Sequence, residues 1–167
     1  MISFLCLIGT AAHASSDVYV YSDLGYSCAA DTRRYHGGGF GLGGRISLSE
    51  TIQLGTRYQL SEHRGKGQAF TVHNAAVGGV LLLDVFHYVP WAAVYLGPSW
   101  SDAHPTLNSP DFGYSFDLGV DRLLDREWSV GAFLQFHSLA SIEKTPAVMF
   151  GGIRVEYRFS LDDPFDD

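Results

Sequence analysis

His137-Ser138 followed by Glu143 brings together the residue types of hydrolytic chemistry: a nucleophile, a base and an acid. Their spacing works against that use. Residues i and i+2 share a face of a β-strand, whereas i and i+1 do not. His137 and Ser138 therefore point opposite ways, and Glu143 in the following loop can serve only one of them. His137 reads as a hydrogen-bonding residue on an inner face, and no catalytic set is expected. The other histidines, His36, His63, His73, His87 and His104, lack the spacing of metal ligands. His36, His63 and His104 fall in three connections at one end, where solvated imidazoles are expected, so neither a metal site nor a cofactor is implied. The run GGGFGLGG from Gly37 to Gly44 lacks the Lys-Ser/Thr ending of a phosphate-binding loop and opens no helix. Arg33-Arg34 and Arg64-Gly65-Lys66 place cations in connections.

The elements that carry these residues follow from composition and periodicity. The chain has 167 residues, 18 acidic and 11 basic, for a formal net charge of −7. That length suits one domain, and the acidic balance argues against nucleic acid as a partner. Charged residues are 17% and aromatics 14%, with 19 glycines, which excludes disorder and favours an all-β architecture. Residues 1–14 read as a signal peptide. An apolar run from Ile2 to Gly9 precedes the small-x-small site Ala12-His13-Ala14, with cleavage expected after Ala14, although no Lys or Arg precedes the run. Cys6 would leave with it, so Cys28 remains alone and no internal disulfide is expected. No later stretch is long and apolar enough for a membrane-spanning helix.

Period-two alternation recurs instead. Phe40, Leu42, Ile46 and Leu48 alternate with Gly39, Gly41, Gly43, Arg45 and Ser47. Ile52, Leu54, Tyr58 and Leu60 oppose Gln53, Gly55, Arg57, Gln59 and Ser61. Phe112, Tyr114, Phe116, Leu118 and Val120 oppose Gly113, Ser115, Asp117, Gly119 and Asp121. Trp128, Val130, Ala132, Leu134 and Phe136 oppose Ser129, Gly131, Phe133, Gln135 and His137. Ile153, Val155, Tyr157 and Phe159 oppose Gly152, Arg154, Glu156 and Arg158. Three further segments, starting at Asp17, Phe70 and Trp91, bring the total to eight strands of roughly ten residues, the length of a tilted membrane-spanning strand. Connections at 27–36, 61–69, 101–110 and 139–146 read as loops at one end. Tighter turns at 49–50, 84–89 and 123–127 fall at the other.

Alternation alone fits two barrels. A soluble lipocalin-like barrel turns its apolar face inward, and a membrane barrel turns it outward. The polar face holds mainly Gly, Ser, Gln and a few charges, too little to solvate an exterior. Its small side chains suit a narrow eight-strand interior. Leu42, Ile46, Leu54, Tyr58, Phe116, Leu118, Val130, Leu134, Ile153, Val155, Tyr157 and Phe159 are therefore expected to face lipid. Arg45, Arg57, Asp117, Asp121, Arg154, Glu156 and Arg158 are expected to form a lumen charge network, with Asp17 and Asp23 candidates to join it. Tyr58, Tyr114, Trp128, Tyr157 and Phe159 are placed near strand ends as interfacial aromatics.

The Gly-rich hairpin GGGFGLGGRISLSETIQLGTRYQL, the segment LLLDVFHYVPWAAVYLG and the closing strand GGIRVEYRF resemble the small eight-stranded outer-membrane barrels of the OmpA-transmembrane-domain, OmpX and Ail-like group. The resemblance spans roughly 17–159. It implies an eight-stranded antiparallel up-and-down transmembrane β-barrel over 15–160, resident in a bacterial outer membrane. A short acidic tail over 161–167 departs from the group, whose chains usually stop at the terminal Phe. The implied role is structural, anchoring or surface-interacting, with a plugged lumen and no catalysis. The implied partners are outer-membrane lipids, lipopolysaccharide and the barrel-assembly machinery, with the protein a monomer. Some barrels of this size are lipid A-modifying enzymes, and a deacylase of that kind would need His-x-Ser where this chain has His137-Ser138.

Overall fold

The structure, a computed structural model, describes residues 17–29, 35–65, 67–83, 87–102, 111–139 and 147–160. The signal peptide expected over 1–14 and the acidic tail expected over 161–167 lie outside the described residues, as do Arg33, Arg34, Lys66, His104 and Glu143.

Eight antiparallel strands close on themselves in chain order. They are β1 (Val18–Ala29), β2 (Tyr35–Ser47), β3 (Ile52–Gly65), β4 (Gln68–Leu82), β5 (Tyr88–Asp102), β6 (Asp111–Leu123), β7 (Trp128–Leu139) and β8 (Val148–Phe159). Closure pairs Val18 of β1 with Phe159 of β8. From Val18, successive Cα partners run through Ile46, Leu54, Gly79, Val94, Phe116, Phe136 and Met149 and come back to β1 at Cys28, ten residues on. That stagger tilts the strands by roughly 40° and leaves a bore that side chains can fill.

The turns between β2 and β3, β4 and β5, and β6 and β7 share one end with the chain's described termini. Their chemistry is local. Ser49 Oγ accepts from the Ile52 amide at 3.1 Å. Asp125 Oδ1 accepts from the Glu127 and Trp128 amides at 2.8 and 2.7 Å, a side-chain mimic of a backbone turn. Two of the turns are tied to the neighbouring strand, by Leu82 N to Thr51 O at 2.8 Å and by Arg158 N to Glu127 O at 2.7 Å.

The opposite end departs from expectation. The strands have 12 to 15 residues, longer than the ten expected. The segment 61–69, expected as a long loop, is largely strand. Gly65 pairs with Gln68, and Gly67 takes a φ of 79° that an L side chain would resist. The segment 27–36 shortens likewise. The reason is physical: Ser27, Ser61 and His63 point inward, so their polarity marks the lumen rather than a loop.

The core is the lumen. Val80, Trp91, Ala93, Tyr95, Phe133 and Phe150 form one cluster there. Tyr35, Phe70 and Val72 form a second near the loop end. Glycines make room for the bulky members: a Cβ on Gly43 would collide with the Tyr21 ring, and one on Gly119 with the Trp91 indole.

Candidate functional site

Burial is inverted relative to a water-soluble protein. Arg154 is 2% exposed and Asp117 1%, whereas Phe116 is 45% exposed and Ile153 56%. Period two dictates this on every strand: each residue that faces the bore is followed by one that faces out.

Three arginines organise the interior and a fourth stands at its mouth. Arg154 of β8 makes a two-pronged contact with Asp23 of β1, Nε to Oδ1 at 2.7 Å and Nη2 to Oδ2 at 2.9 Å. Its guanidinium lies over the Tyr21 ring at 3.9 Å and the Trp91 ring at 4.3 Å. A carboxylate fork below aromatic faces is the environment a guanidinium tolerates when water is removed. Nearer the loop end, Arg57 pairs with Asp117, donates to Ser115 Oγ at 2.9 Å and lies over the Tyr95 ring at 4.5 Å. Nearer the turn end, Arg45 pairs with Glu156 and lies 3.7 Å from Asp121. Arg158 reaches Asp17 at 2.5 Å beside the mouth. Its side chain is 42% exposed, so it guards the mouth instead of filling the bore.

Above Arg57, Asn74 donates to Ser99 Oγ at 2.8 Å, and Ser99 Oγ lies 3.0 Å from His137 Nε2. His137 therefore faces the lumen and meets Ser99 of β5, whereas its chain neighbour Ser138 lies on the other face. The sequence carries no local sign of this Ser–His contact, because only the barrel's closure joins residues 38 positions apart. His63 is also buried, 3.0 Å from Ser61 Oγ and stacked on Phe70. The expectation that His36 and His63 lie in loops is corrected: both are strand residues, and His36 bonds the Tyr26 hydroxyl at 2.6 Å. Arg64 is likewise a strand residue, paired with Glu62 at 2.6 Å. Among the described residues, no group of three or more His, Cys, Asp or Glu side chains is placed to hold a metal ion.

The outer wall carries Leu42, Ile46, Leu54, Tyr58, Leu118, Leu134, Val155 and Phe159, all exposed, with Val130 and Tyr157 half-buried among neighbours. Among the described strand residues, outward acidic and basic side chains occur only near strand ends: Glu62, Arg64 and Asp102 at the loop end and Arg122 at the turn end. Trp128, Tyr157 and Phe159 cluster near the turn end, with ring centroids 4.8 and 4.6 Å apart. Tyr58 is corrected from a strand end to mid-strand, because β3 continues to Gly65. It bonds His73 Nδ1 at 2.7 Å, and His73 stacks on Trp100 of β5.

A closed eight-strand wall with an oily exterior and an ionic bore is the observation that decides the comparison with known structures. The fold is that of the small outer-membrane barrels. Neisserial surface protein A shares it with a TM-score of 0.71 at 11% identity, over 86% of this chain and 96% of that one. Ail of Yersinia pestis, in complex with the heparin analogue sucrose octasulfate, matches with a TM-score of 0.64 at 11% identity, over 87% and 99%. The N-terminal β-barrel domain of Pseudomonas aeruginosa OprF matches with a TM-score of 0.55 at 12% identity, over 87% and 98%. No protein-family model and no curated sequence matches the chain. The chain thus has the wall, strand count and outward-facing surface of a bacterial outer-membrane β-barrel on a sequence only 11–12% identical to these three.

Proposed function

We propose that this protein is a monomeric outer-membrane anchor that presents its loop end at the cell surface and keeps its lumen closed to solutes. The inversion of burial carries the reading. A soluble protein rarely exposes an apolar patch beyond a few hundred Å², and here the apolar surface encircles the wall. The absence of charge from its middle supports lipid contact, since an arginine at mid-bilayer costs about 2–4 kcal/mol. The Arg154–Asp23, Arg57–Asp117 and Arg45–Glu156 pairs, stacked among Tyr21, Trp91 and Tyr95, support a plugged lumen. The His73–Trp100 and Tyr26–His36 contacts, toward the loop end of the outer wall, suit the zone where lipopolysaccharide meets hydrocarbon, because such side chains pair an apolar body with a polar tip. The alternating Val155, Tyr157 and Phe159 of the closing strand suit recognition by the barrel-assembly machinery.

Partitioning into detergent micelles with heat-modifiable gel migration is the test. A folded form that migrates differently from the boiled form and stays with detergent is expected. A detergent-indifferent chain overturns the reading. Mass spectra of lipid A from cells with and without the protein are expected to be identical, and a lost acyl chain would replace the anchor role with an enzymatic one.

A further inference from the structure

A cavity of about 440 Å³ opens into the lumen at the turn end. It does not continue, because Tyr21, Trp91 and Arg154 fill the bore above Arg45. The cations in its wall are mostly committed: Arg45 to Glu156 and Asp121, and Arg158 to Asp17. At the rim Glu50, Asp125 and Glu127 stand against Arg126. Gln53, 1% exposed, lines the same cavity. Its Nε2 donates to Ser47 Oγ at 3.4 Å, whereas its Oε1 has no hydrogen-bond partner among the described residues. The Arg45 Nε and Nη1 donors also lack hydrogen bonds, but that guanidinium is flanked by the Tyr19, Tyr21 and Trp91 rings at 5.6, 5.6 and 5.9 Å, faces that receive a cation. Asp121 Oδ1, in the same wall, also lacks a hydrogen bond among the described residues, so what is left over at the cavity is two acceptors inside a negative mouth, with Trp128 beside it.

We infer that this blind vestibule binds a small organic cation of the amine class, its ammonium donating to Gln53 Oε1 and its remaining charge held by the Glu50 and Glu127 carboxylates. That the mouth faces the periplasm rests on the function proposed above; the cavity itself does not. The probe is spermidine, titrated into the folded, isotope-labelled barrel in lipid nanodiscs and followed by NMR. Saturable shifts of the Gln53 side-chain amide and the Trp128 indole are expected. The Gln53→Leu variant and the Glu50→Gln/Glu127→Gln double variant, each first shown to be heat-modifiable, are expected to weaken binding at least tenfold. Three results overturn the inference: no saturable shift, unchanged affinity in both variants, or equal shifts from magnesium at matched ionic strength, which marks ordinary counter-ions. A barrel that proves water-soluble yet still binds spermidine would sink the membrane reading and leave the site standing.

Discussion

Arg154 concentrates the physics of the interior. A guanidinium enclosed in a narrow bore is tolerable only with its charge answered, and Asp23 answers it through both oxygens. Arg154→Met leaves that carboxylate buried and alone, and is expected to lose about 3–5 kcal/mol. Asp23→Asn combined with Arg154→Met should recover part of this. Urea unfolding in lipid vesicles, read as a double-mutant cycle, is expected to give a coupling of about 2 kcal/mol; a coupling near zero would make the pair a bystander. Glycines supply a second contrast. Gly119→Ala drives a methyl into the Trp91 indole and should cost about 1–3 kcal/mol. Gly79→Ala meets nothing within 4 Å and should stay within about 0.5 kcal/mol of the parent. Which face each charge occupies was readable from alternation, but which charges meet was not. Asp23 takes Arg154 and Asp17 takes Arg158, because closure brings β1 against β8. The sequence offered Asp17 and Asp23 only as candidates, since a register between the two ends of a chain leaves no local mark.

The strands were legible where one face is oily and were misjudged where both are mixed. β6 alternates cleanly, and its expected faces match the observed burial along its length. β3 runs past its expected end because Ser61 and His63 are polar for an inward reason, and β4 starts two residues before Phe70 to pair with that extension. A connection and the polar lining of a bore have the same composition, and only pairing tells them apart. The outward surface of each strand has its own test. Leu134→Arg, mid-strand on β7, is expected to destabilise the vesicle-embedded barrel by about 2–4 kcal/mol, whereas Phe112→Arg, at the loop end of β6, should cost about 0–1 kcal/mol. Equal costs at the two positions would mean that no hydrocarbon slab surrounds the wall.

At the scale of the molecule, eight strands and a ten-residue stagger set a bore that tyrosine, tryptophan and arginine can occlude. Reconstituted into planar bilayers, the protein is expected to pass no steady ionic current, and removal of both Arg154 and Trp91 side chains by alanine substitution should introduce one. The vestibule stops beneath those side chains, so its blindness and the closed lumen share one cause. The vestibule was not legible in the sequence, because turn residues of two hairpins and residues of all eight strands meet there only after closure. The strand count, by contrast, needed nothing but repetition. The most direct measurement labels consecutive positions of β6, with Cys28 first replaced by serine and single cysteines placed from position 112 to 121, and compares quenching by a lipid-soluble reagent with quenching by a water-soluble one. The expected result is lipid-phase quenching at 114, 116 and 118 and protection at 115, 117 and 119. Lipid-phase quenching at 117 with protection at 116 would turn the wall inside out and contradict the assignment.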